Sequence, residues 1–137
     1  MLDTDKYIGI PHVFLGDTKE GCDCLGLIRL YFKEHGWEED FTDDGEEVTE
    51  ENYNTSPVWR RILRYFHEHF NETKNIDKLK EGAVVLFLID GDYHLGIYVG
   101  NGYLLSMEVP VRYGKSRSML YHKRYWKQFF KRGFNRR

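Results

Sequence analysis

The chain has 137 residues, a formal net charge of -2, and ten Tyr and nine Phe among many charged residues. That length fits one domain with its own core, spanning 1–137, and the near-neutral charge gives no general pull toward nucleic acid or anionic membrane. No stretch reaches the roughly 20 apolar residues that cross a bilayer, the acidic start MLDTDKYIGIPH is no signal peptide, and two cysteines one residue apart cannot staple such a domain.

In chain order, Tyr7 to Glu20 reads as an ordered loop containing Pro11 and Gly16. A helix follows: Asp23 is a good N-cap, and Cys24, Leu27, Ile28, Tyr31 and Phe32 recur at helical spacing until Gly36. An acidic insert over about 38–54 is loop-like. Pro57 opens a second helix with Val58, Ile62, Tyr65, Phe66 and Phe70 as its apolar positions.

The period then changes. Ala83 to Ile89 reads as a buried strand and His94 to Val99 as a second, joined by an Asp- and Gly-rich turn. Asn101-Gly102 is a strong hairpin signal that returns the chain through Tyr103 to Met107. A further strand or two is expected in Val109 to Tyr121, then a short aromatic helix in Tyr125 to Lys131. Helices followed by hairpin-linked strands predict an α+β fold with an antiparallel sheet.

The chemistry centres on Cys24. At the start of a helix, unpaired N–H groups and the positive end of the macrodipole favour an anion, which predicts a lowered thiol pKa. The same N–H groups suit an oxyanion. The bland alternative is a small buried hydrophobe. His94, far downstream at the start of a strand, is the natural distant base for such a thiol, although alone it reads equally well as an edge residue.

Four segments carry a resemblance: Tyr7-Ile-Gly-Ile-Pro-His, Gly21-Cys-Asp-Cys-Leu-Gly-Leu-Ile-Arg, Gly82-Ala-Val-Val-Leu-Phe, and His94-Leu-Gly-Ile-Tyr-Val-Gly-Asn-Gly. Together they resemble the NlpC/P60 family of papain-like cysteine peptidases, in the form found in phage tail and phage cell-wall peptidases, and the closing Tyr125-Trp126 to Arg136 is similar to the end of those proteins. The resemblance implies a papain-like α+β fold and cleavage of peptidoglycan stem peptides between D-glutamate and a diamino acid. It implies Cys24 as nucleophile, His94 as base, no cofactor or metal, and phage tail proteins as partners. It further implies synthesis in the host cytoplasm and residence in the virion tail, acting at the bacterial cell wall.

Three positions depart from the family pattern. The polar residue that orients the catalytic imidazole, most often His, corresponds to Ser106, with Glu108 on the same strand face as a substitute. An early active-site tyrosine is replaced by His12. Leu25 stands where Ser is usual. Asp23, Glu108 and His12 are therefore accessory candidates. The alternatives are a tail-assembly protein with the same fold and weak or lost catalysis, and an amidase or acyltransferase. Many relatives of the last kind are circularly permuted, with His before Cys, unlike this chain.

Other signals are weaker. Cys22, Cys24, His67 and His69 are zinc-type residues, but the two histidines are two apart on a helix and face differently. Asp40 to Glu51 has oxygen residues at several calcium-loop places, yet Glu47 occupies the usual apolar place; a solvated acidic insert is the better reading. The basic and aromatic run Tyr121 to Arg137 can suit single-stranded nucleic acid or a membrane surface. Its stripe of Tyr125, Trp126, Phe129 and Phe130 reads instead as core against the sheet.

Overall fold

The computed structural model describes residues 5–13, 17–37, 56–89, 91–108 and 116–137. The expected acidic insert and calcium-type loop lie outside these residues, as does 109–115.

A short antiparallel pair, β1 (Asp17–Thr18) and β2 (Gly21–Cys22), leads into α1 (Cys24–Glu34). Asp23 caps this helix as expected: its Oδ1 accepts the Gly26 N–H at 2.7 Å. Leu27, Ile28, Leu30, Tyr31 and Phe32 are buried. Gly36, at φ 73°, ends the helix. The second helix, α2, spans Ser56–His69.

Phe70 was expected in that helix but opens a strand, β3 (Phe70–Thr73), paired antiparallel with β8 (Phe130–Arg136) at the end of the chain. The reason is nonlocal. Phe70 is buried against Phe66, at a centroid distance of 5.1 Å, and Phe66 stacks on Phe134. The expected helix over Tyr125 to Lys131 is likewise corrected. It is one turn, α3 (Lys123–Trp126), a 3-10 turn over Lys127–Phe129, and then β8. Trp126 is buried and donates to Gly102 O, whereas Tyr125 stays 50% exposed, stacked on Tyr121. A single turn cannot turn all four aromatic positions inward.

Between these lie β4 (Val84–Ile89), β5 (Asp92–Gly100), β6 (Tyr103–Met107) and β7 (Ser118–His122). The six-stranded sheet has the order β3-β8-β4-β5-β6-β7, antiparallel throughout. Asn101 and Gly102 turn β5 into β6 with φ of 56° and 85°, the paired positive values of a type I′ hairpin. Alternation along the strands sends side chains to opposite faces. Val84, Leu86, Leu95, Ile97, Leu105 and Met107 form one core with α1 and α2. Val85, Phe87, Leu104 and Trp126 form a second core on the other face.

The outer edge of β7 is covered by the segment before β1. Gly9 N–H donates to Ser118 O at 2.8 Å, Ser118 N–H to Ile10 O at 2.9 Å, and His12 N–H to Ser116 O at 2.9 Å. The buried Ser118 hydroxyl accepts from Ile10 N–H and donates to Tyr7 O. This clamp brings His12 alongside Cys22, to which it is bridged. Among the described residues, no helix is long and apolar enough to cross a membrane.

Candidate active site

With Asp23 extended at the cap, Cys24 is the first helical residue. Helix α1 packs against β5, which brings the sulfur to the backbone of Leu95, the residue after His94. The Leu95 amide is available there for a register reason. Tyr98 N–H turns to β4, donating to Ala83 O at 2.8 Å, so by alternation Leu95 N–H turns to the β6 side. The β5–β6 pairing runs from Gly100↔Tyr103 only to Ile97↔Leu105. Where the two strands part, the Cys24 sulfur faces the Leu95 amide.

The N–H groups of Leu95, Leu25 and Cys24 favour the sulfur's anion, as expected for a helix start, but they do not win. Burial, reinforced by the Asp23 carboxylate, pushes the thiol up to about 12. The expectation of a lowered pKa is therefore reversed in the resting protein. The residue that caps the helix also repels the thiolate. Cys22 is fully buried in the α1-side core, and neither cysteine is in a disulfide.

His94 is half-buried on β5, directly opposite Phe87 of β4. The two rings stack at 5.5 Å and 27°. Burial pulls the imidazole below its ordinary value of 6.5, against the opposing effect of the Asp92 carboxylate. It is neutral at physiological pH and able to accept a proton. His12 is also buried and lowered by desolvation, with Asp23 opposing, so Asp23 acts on both His12 and Cys24.

Ser106, on β6, is 2% exposed and donates its hydroxyl proton to Met107 O at 3.2 Å. Glu108 Oε1 accepts from Arg117 N–H at 2.8 Å. Neither bond runs to His94. The zinc-type residues are dispersed: His67 Nδ1 lies 3.1 Å from Glu72, His69 packs on Tyr65, and Cys22 is core. Among the described residues, no three His, Cys, Asp or Glu side chains are grouped to hold a metal.

The sequence reading missed the Leu95 amide and Phe87. The second was within reach, because two residues separate Ile89 from Asp92 and that turn length puts Phe87 opposite His94. The first depends on where β5 and β6 part, which no local pattern marks.

The sequence profile of the NlpC/P60 family matches residues 9–133. The fold is similar to the NlpC/p60 domain of the peptidoglycan hydrolase SagA, at 22% identity and a TM-score of 0.52, over 95% of this chain and 90% of that one. It is similar to an NlpC/P60 family protein from Bacillus cereus ATCC 10987, at 18% identity and a TM-score of 0.56, over 95% of this chain and 36% of that one. It is also similar to NlpC2 from Trichomonas vaginalis, at 14% identity and a TM-score of 0.59, over 97% of this chain and 43% of that one. The chain thus spans most of the SagA domain but under half of the two longer proteins. No curated protein matches it in sequence.

Proposed function

The chain belongs to the NlpC/P60 family, and from that premise we propose that it is a cysteine endopeptidase of peptidoglycan stem peptides, cutting the D-glutamyl–diamino acid bond. We assign its place of action to a phage or prophage tail, with tail proteins as partners and the cell wall as target. The observation that carries the reading is the Cys24 sulfur at the first turn of a capped helix, held against the β5 backbone at Leu95, the residue that follows a His94 kept neutral by burial.

The chemistry follows from those two protonation states. Thiol and imidazole rest neutral, so His94 takes the sulfur's proton as attack begins rather than storing an ion pair. The sulfur bonds to the carbonyl carbon, and the carbonyl oxygen becomes an oxyanion facing backbone N–H groups at the helix start. His94 then gives the proton to the departing amine as the C–N bond breaks. A water, deprotonated by His94, opens the thioester and releases the carboxyl product and the thiol. Ser106 Oγ keeps lone pairs able to accept an imidazole N–H, and His12 is an accessory group near Asp23.

A second reading rests on the raised thiol and the committed Ser106 proton: a tail-assembly protein that keeps the fold with little catalysis. Incubation with purified muropeptides separates the two. The peptidase reading expects a new amino terminus with wild type and none with Cys24→Ala or His94→Ala. No cleavage by wild type, with a stable complex with tail proteins, supports assembly instead.

A further inference from the structure

The groups expected to orient His94 have their principal bonds elsewhere: the Ser106 proton goes to Met107 O and the Glu108 carboxylate to Arg117 N–H. A hydroxyl fixes at most one atom of an imidazole and leaves the ring plane free to turn. What borders the plane is Phe87. It is the cross-strand partner of His94, its ring lies 5.5 Å away at 27°, and it is 3% exposed within a core of Val85, Leu104 and Trp126. An aromatic wall so held limits rotation of the facing ring, and offset stacking contributes attraction of its own.

We propose that Phe87 is a positioning residue for catalysis, setting the plane of the His94 imidazole by stacking in place of a strong hydrogen-bond partner. This rests on the reading of His94 as the base. A ring free to turn spends less time in the orientation that can take the sulfur's proton.

The test compares Phe87→Leu, Phe87→Tyr and Val85→Ala. The last removes core volume from the same cluster at a residue whose cross-strand partner is Gly96 rather than His94. With muropeptide substrate, Phe87→Leu is expected to lower kcat about 10- to 100-fold, as loss of an orienting partner does elsewhere, with KM within about twofold. Phe87→Tyr keeps a ring and restores most of the rate; Val85→Ala lowers the melting temperature but leaves kcat near wild type. The acid limb of kcat/KM moves up toward pH 6.5 in Phe87→Leu, because the imidazole loses part of its burial. Independently of turnover, the ring protons of His94 in the NMR spectrum carry an aromatic ring-current shift that Phe87→Leu abolishes.

Unchanged kcat in Phe87→Leu, while His94→Ala is inactive, overturns the role of Phe87 and leaves the peptidase reading standing. Equal losses in Phe87→Leu and Val85→Ala also overturn it, reducing the effect to core stability. Full activity of His94→Ala removes the premise and the proposal with it.

Discussion

Replacing Asp23 by Asn tests the electrostatics of the nucleophile without dismantling its helix. Asn caps a helix about as well as Asp, so the bond to Gly26 N–H is kept while the charge beside the sulfur is removed. In the wild type the thiol stands at about 12 against an ordinary 9.0. Three units mean roughly a thousandfold less thiolate at neutral pH. A more basic thiolate is also a better nucleophile, and with a Brønsted slope near 0.45 the net alkylation rate is about 50-fold below that of an unperturbed cysteine. Taking about one unit for a nearby carboxylate in a partly buried setting, Asp23→Asn raises that rate about threefold. The assay is iodoacetamide labelling from pH 6 to 10, with mass spectrometry of the Cys24 peptide and a short cysteine peptide as reference. Asp23→Ala serves as the control that also loses the cap, at a cost of about 1 kcal/mol. Cys24 labelling as fast as the reference at pH 7, indifferent to Asp23→Asn, would refute the reasoning.

Further outcomes follow from the same structure. His12 and His94 are held below 6.5 in the folded state, so the unfolded chain binds more protons just below that pH. Their contribution to stability is full above pH 6.5 and is lost as pH falls below it through the lowered folded-state values; thermal unfolding should show the decline, and His12→Gln should flatten it. Cys24 has the opposite sign: its folded pKa of about 12 lies above 9.0, so stability declines as pH rises past 9, a decline that Cys24→Ala should lessen, leaving the part due to the raised Tyr121. Gly96 sits where an added Cβ would stand 3.0 Å from Leu104 Cδ1 and from Leu105 O. Gly96→Ala is therefore expected to lose about 1–3 kcal/mol in urea unfolding by forcing β5 from β6. Ser118→Ala removes the hydroxyl that accepts from Ile10 N–H and donates to Tyr7 O in the clamp that carries His12. About 2 kcal/mol and faster hydrogen exchange at Ile10 are expected.

What was legible in the sequence was local. The Asp23 cap, the α1 stripe, the Gly36 stop and the Asn101-Gly102 turn all signal through neighbours a few residues apart, and each formed as read. Strands β3 and β8 were missed because their pairing joins Phe70 to Arg136, near the other end of the chain, and neither segment alternates clearly by itself. The positions of Cys24 and His94 could be read from motifs, although only Cys24 opens its element and His94 is the third residue of β5. The sign of the thiol shift could not. It depends on how deeply the folded chain buries the sulfur and on the cap's charge, and helix-start reasoning supplies only the smaller, opposing contribution. The contact of Phe87 with His94 needed the register of a hairpin, which the turn length supplies once it is counted.

The most direct measurement is rapid acid quenching of the enzyme during turnover of a purified stem peptide, followed by mass spectrometry of the tryptic peptide holding Cys24. A transient acyl mass on that sulfur, accumulating in wild type and absent in His94→Ala, is the predicted result. Continued cleavage by Cys24→Ala, with no adduct on wild type at any time point, would contradict it.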